Sequence, residues 1–218
     1  MASVDLLTRA YAPVLELAER VDEAQGWAPS LLPGWTVRDL LFHLASDCQR
    51  ALVALATPTT EPADTDEVTY WSGWRPGTEE AAAGLRGTRI MASAWSSVRS
   101  PADLYVETAR AVLTAAAAAD AATVVVTQGH RLTVGSLVHT LAVEAAVHHL
   151  DLEPVLPDPP AAPVLAEVRH VLDGLLGERA PKGWADVRYA RVGTGRLPLD
   201  EAERAALGPL AARFPLFG

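Results

Sequence analysis

Two side chains stand where an apolar pattern calls for leucine. Between residues 133 and 152, Leu137, Leu141, Glu144, His148 and then Asp151 or Leu152 recur at steps of three and four, the spacing that puts side chains on one face of a helix. That face begins apolar and turns toward a core, so Glu144 and His148 are carried inward with it. A carboxylate buried without a partner costs several kcal/mol. At i and i+4 the two side chains can satisfy each other by a hydrogen bond, or both can converge on a cation. A second stretch carries the same fault, because Leu40, Leu41 and Leu44 form an apolar stripe with His43 inside it. His43 reads either as a core histidine bonded to a carbonyl or as a third ligand. Brought together on neighbouring helices, His43, Glu144 and His148 make a three-donor nitrogen and oxygen set. Such a set suits zinc with a position left open for water or substrate, and iron(II) can also use it. Asp151, three residues past His148, can accept from the imidazole nitrogen that faces away from the cation.

Other chemistry-bearing residues read more plainly. His139, His149 and His170 fall on other faces or in the tail and read as surface or packing residues, and His130 sits beside a turn glycine. Cys48 lies five residues past His43 on a different face and reads as a packed thiol. Glu144 and His148 lack the leading histidine of a zinc-protease motif, and no nucleophile elbow, Walker loop or dinucleotide fingerprint is present.

The elements that must position these residues follow from periodicity and punctuation. Residues 4–23 read as a helix, with Pro13 as a possible kink. Thr36 caps a second helix running to about residue 56, with Asp39 in its first turn. Residues 57–77, with Pro58, Pro62, Pro76, Tyr70, Trp71 and Trp74, read as a long packed loop that either folds over a site or caps the end of the bundle. Helices are expected over 78–98 and from a Ser100 cap to about 120, then an extended excursion over 124–134, then the helix of residues 133–152. Residues 156–163 form a proline-rich linker. Beyond it come a helix over 164–176, an extended piece near 186–192, and a last helix opened by Asp200 and Glu203 as a capping box.

The 218 residues, half of them hydrophobic, suffice for a core without disulfides, and one cysteine excludes a disulfide framework. A net charge of -9 with no Lys/Arg cluster argues against nucleic acid. No apolar run is long enough to cross a bilayer, and the N-terminus lacks a basic-then-apolar leader, so a cytoplasmic protein is expected. Lys182 is the only lysine among 18 basic residues and alanine is abundant, the bias of a GC-rich bacterial genome.

The stretch from Pro33-Gly34-Trp35-Thr36 to His43-Leu44-Ala45, together with Val143-Glu144-Ala145-Ala146-Val147-His148-His149-Leu150-Asp151, resembles the two halves of the signature of the mycothiol-dependent maleylpyruvate isomerase family, within the DinB-like superfamily of metalloproteins. The resemblance implies a mainly α fold, a DinB-like four-helix bundle over residues 1–155 with a small C-terminal α+β appendage over 164–218. It implies that His43, Glu144 and His148 are ligands of a divalent metal, zinc first and iron or nickel after it. It also implies that mycothiol, the low-molecular-weight thiol of actinobacteria, is co-substrate. The thiolate then attacks an electrophilic small molecule, as an S-transferase or as a cis–trans isomerase. Family isomerases set an arginine from the C-terminal region against substrate carboxylates. Arg196 in Val192-Gly193-Thr194-Gly195-Arg196 is the candidate, with Arg188 and Arg191 as rivals. A metal hydrolase with Asp151 as base, or a non-catalytic metal-binding protein, are the other readings. A monomer or homodimer is expected.

Overall fold

The computed structural model describes residues 3–74 and 77–218, so Pro76 of the long loop and the first two residues lie outside the described residues. In chain order the elements are α1 (Ser3–Arg20), α2 (Glu23–Gly26), α3 (Val37–Leu55), β1 (Pro58–Thr59), α4 (Glu79–Ala92), α5 (Arg99–Ala118), β2 (Val124–Thr127), β3 (His130–Thr133), α6 (Val134–Asp151), α7 (Ala162–Leu176), α8 (Asp186–Gly193) and α9 (Glu201–Leu207). The fold is mainly α, as the sequence indicates.

Four long helices close the bundle. α3 packs on α5 and α6, and α1 packs on the same two, so the ring runs α1–α5–α3–α6. α7 lies outside α6, and α8 packs on both of them. α6 is therefore enclosed on nearly every side, which is why its sequence is apolar almost all round. Buried apolar side chains run continuously from Leu6 in α1 to Phe217 in the tail.

The caps anchor the two helices that matter most. Thr36 accepts from Asp39 N at 3.3 Å while Asp39 Oδ2 accepts from Thr36 N at 2.9 Å, a reciprocal box that fixes the start of α3. Thr133 Oγ1 accepts from Ser136 N at 3.0 Å and starts α6. The strand pair that precedes α6 is an antiparallel hairpin with Val125 opposite Leu132. Its turn, Gln128-Gly129, has φ of 48° and 83°, the left-handed pair that a two-residue hairpin needs. β1 adds to this hairpin, Pro58 opposite Val125.

Several elements depart from the sequence reading. α1 continues through Pro13 to Arg20. The helix expected over 78–98 stops at Ala92, and α5 starts at Arg99, so Ser100 lies inside its first turn rather than capping it. The piece expected to be extended near 186–192 is the helix α8, and the strands among the described residues all lie between residues 58 and 133. Val187, Tyr189, Val192 and their neighbours mimic strand composition, but Tyr189, Ala190, Val192 and Gly193 form one buried helical stripe. Eight residues are too few for periodicity to separate the two.

Candidate metal centre

His43 comes from the second turn of α3 and Glu144 and His148 from consecutive turns of α6, the two helices meeting side by side. Glu144 Oε1 lies 3.0 Å from His43 Nε2 and 3.2 Å from His148 Nε2. The two imidazoles meet edge to face, centroids 4.7 Å apart at 79°. One donor atom from each of the three lies within 4.8 Å of the others. Donor atoms about 2.0–2.1 Å from a tetrahedral zinc stand about 3.3 Å apart, so the two nitrogen–oxygen separations already match a ligated set. The chemistry of the set fits too, two imidazoles and one carboxylate, which leaves at least one coordination position of such an ion to be filled from outside the set.

His148 is held from behind. Its Nδ1 donates to Asp151 Oδ2 at 2.9 Å, which turns Nε2 toward Glu144 and His43. Asp151 has no exposed side-chain surface. The same carboxylate accepts from Arg196, Nη2 to Oδ2 at 3.0 Å and Nε to Oδ1 at 3.3 Å, and Arg196 Nη1 donates to Thr194 O at 3.0 Å. All three guanidinium nitrogens are thus engaged with protein oxygens. Arg196 reaches the site from behind Asp151 instead of standing free against a substrate carboxylate. The rivals are engaged elsewhere, Arg188 with Glu203 and Arg191 with Glu153.

Local sequence explains how Arg196 gets there. α8 ends in a reciprocal C-cap: Gly195 N bonds Val192 O at 3.3 Å and Arg196 N bonds Arg191 O at 2.8 Å. Gly195 takes φ of 73°, the left-handed position that this cap requires and that glycine adopts without penalty. The chain therefore doubles back at Gly195 and aims Arg196 at Asp151.

Charge at the centre is strongly coupled. Burial alone would raise the Glu144 carboxyl, but the His148 and His43 imidazoles outweigh it and hold Glu144 well below the usual range. Burial would lower His148, yet Glu144 and Asp151 together push it up to about 9. At neutral pH the metal-free centre therefore carries a proton on His148 that a cation must displace.

The wall contains residues that sequence reading missed. Asp47 lies one turn beyond His43 on α3, paired with Arg50 at 2.8 Å, and its carboxyl is raised by burial and by repulsion from Glu144. The i+4 step from His43 was the available signal. Trp35 sets its ring against His43, centroids 5.4 Å apart. The long loop does pack: Tyr70 and Trp71 are buried in a short 3-10 turn, Tyr70 accepts from Gln128 Nε2 at 2.7 Å, and Trp71 stacks on Phe217 at 4.6 Å. Trp74 stays half exposed. Among the remaining histidines, His149 is buried and donates to Asp158 O at 2.7 Å, pinning the proline-rich linker, and His139 pairs with Glu167 at 2.8 Å. His130 and His170 are exposed. Cys48 is enclosed beside Tyr11, and burial pushes its thiol up to about 12.

These features define a helical-bundle protein with a His–Glu–His cluster that could hold a metal ion. The family model described as mycothiol maleylpyruvate isomerase N-terminal domain matches residues 7–153, and the chain belongs to that family. The matched span holds all three cluster residues and Asp151. No match is found among the curated proteins or the solved structures compared. No described helix is long and apolar enough to cross a membrane.

Proposed function

We propose that this chain is a metal-dependent, thiol-using enzyme, a mycothiol S-transferase or a mycothiol-dependent cis–trans isomerase acting on an electrophilic small molecule. The observation that carries the reading is the convergence of His43, Glu144 and His148 within 4.8 Å, in a chain of this family. His43 Nε2, Glu144 Oε1 and His148 Nε2 would hold the cation, zinc before iron or nickel. Bound there, a divalent metal supplies the Lewis acidity that lowers the pKa of a thiol, about 8.5 when free, so that it ionises at neutral pH.

The chain's own residues do the rest. Asp151 holds the proton on His148 Nδ1, so that the proton a cation would displace is the one on Nε2. Asp47, one turn from His43, is the carboxylate positioned to take the thiol proton, with Arg50 steadying it. Trp35, edge-on to His43, and Tyr70, which lies within reach of the Glu144 and Asp47 charges, give the site aromatic walls that keep water from competing with the thiol. Arg196 is committed to Asp151, Arg188 to Glu203 and Arg191 to Glu153, so none of the three candidate arginines stands free as the dicarboxylate clamp expected of an isomerase, which favours S-transfer over isomerisation.

The test is turnover of zinc-loaded protein with mycothiol and an electrophile such as monobromobimane. Thiol conjugation that needs both zinc and mycothiol, and is lost in His148→Ala, supports the reading. Ester hydrolysis without any thiol, and no conjugation, would replace it with a hydrolase.

A further inference from the structure

Asp151 is the most enclosed charged group near the cluster, with no exposed side-chain surface. A buried carboxylate needs a positive partner, and a metal-free view of α6 alone offers it only the edge of His148. The second partner comes from 45 residues further along the chain: Arg196, itself 16% exposed, makes a two-pronged contact through Nε and Nη2. Such a fork fixes the carboxylate plane as well as its charge.

The Arg196 loop is itself clamped. Gly195 closes the end of α8 so that Arg196 points inward. Leu216 N then bonds Gly193 O at 2.7 Å, and the next residue, Phe217, lies on Trp71 of the loop. From tail to cluster there is one unbroken line of contacts: Gly193–Gly195, Arg196, Asp151, His148.

We propose that Arg196 is a positioning residue of the metal centre: by pinning the Asp151 carboxylate it orients the His148 imidazole, so that docking of the segment 186–217 and retention of the cation are coupled. The inference rests on the metal reading of the cluster and deepens it by giving the C-terminal segment a part in holding the ion. The three guanidinium nitrogens of Arg196 are used by Asp151 and Thr194, so it acts on the cluster through Asp151. Linkage makes the coupling reciprocal, so loading the metal tightens the turn at residues 193–197.

The experiment measures zinc affinity of the full chain by competition with a chromophoric chelator, for wild type, Arg196→Gln, Asp151→Asn and the double variant. Near-ultraviolet circular dichroism of each reports folding. Arg196→Gln is expected to weaken zinc about tenfold, within the range seen when groups behind a ligand are removed. The same change in the Asp151→Asn background should add nothing, because the effect passes through Asp151. Arg188→Gln, in the same segment but paired with Glu203, should leave affinity unchanged. Zinc should slow amide exchange at residues 193–197 in wild type and not in Arg196→Gln. Arg196→Lys keeps the charge without the fork and should fall between the two, and it replaces the glutamine variant if that one does not fold. Wild-type affinity in a folded Arg196 variant overturns the proposal, as do losses that simply add in the double variant. Wild-type protein that takes up no zinc overturns it together with the metal reading, and that outcome is recognisable because the parent itself is blank.

Discussion

Glu144→Gln tests the electrostatics of the cluster without any cation present. In chelator-treated protein His148 stands at about 9, with Glu144 the first cause that raises it and Asp151 the next. Lifting a histidine from its ordinary 6.5 to about 9 corresponds to about 3 kcal/mol, at about 1.4 kcal/mol per unit. A raised histidine contributes stability that is complete below 6.5 and is lost as pH rises through about 9. Glutamine keeps the shape and one acceptor but removes the charge, leaving Asp151 to supply the remainder, so about 1–2 kcal/mol should vanish. Urea unfolding of metal-free wild type and variant should therefore differ by that amount near about pH 6 and converge above about pH 9. An equal gap at both pH values, or none at the lower, would refute the reasoning, since neither is compatible with a proton held on His148 by Glu144.

Further expectations are simpler to check. Burial pushes the Cys48 thiol up to about 12, so a disulfide reagent near about pH 8 should label it only after denaturation; rapid labelling of native protein would contradict the packed-thiol assignment. Gly195→Ala places a side chain at φ of 73° and should cost about 1–2 kcal/mol in unfolding free energy, together with some zinc affinity through misplacement of Arg196. Full stability in that variant would mean that the turn relaxes without strain. His139 is raised by the Glu167 carboxylate, whose Oε1 lies 2.8 Å from Nδ1, a contribution complete below 6.5 and lost as pH climbs through the raised value. Glu167→Gln should thus destabilise the protein by at most about 1 kcal/mol, and only on the acid side.

Much of the site was legible because it breaks a rule. Glu144 and His148 interrupt an apolar helical stripe, and His43 interrupts another, so each is visible to periodicity alone. Helix caps were equally local, with Thr36 and Asp39 doing in space what their spacing says. What periodicity does not carry is which helices are neighbours, and there the family signature supplied the pairing of α3 with α6. Asp47 follows His43 by four residues and so shares its face, a signal as local as the others. Trp71 on Phe217 and Arg196 on Asp151 join residues far apart in the chain, and no short-range pattern encodes such contacts. The strand expected near 186–192 failed for a different reason: a two-turn helix whose buried stripe is made of strand-favouring residues owes its form to packing on α7 and α6 rather than to propensity.

The central claim, that His43, Glu144 and His148 hold a divalent cation, is tested most directly by elemental analysis of purified wild type beside His148→Ala. About one zinc, iron or nickel ion per chain is expected in wild type, and none in the variant. Wild-type protein that contains no metal, and takes up none when zinc is offered, would contradict it and leave the three side chains as a buried hydrogen-bonded cluster.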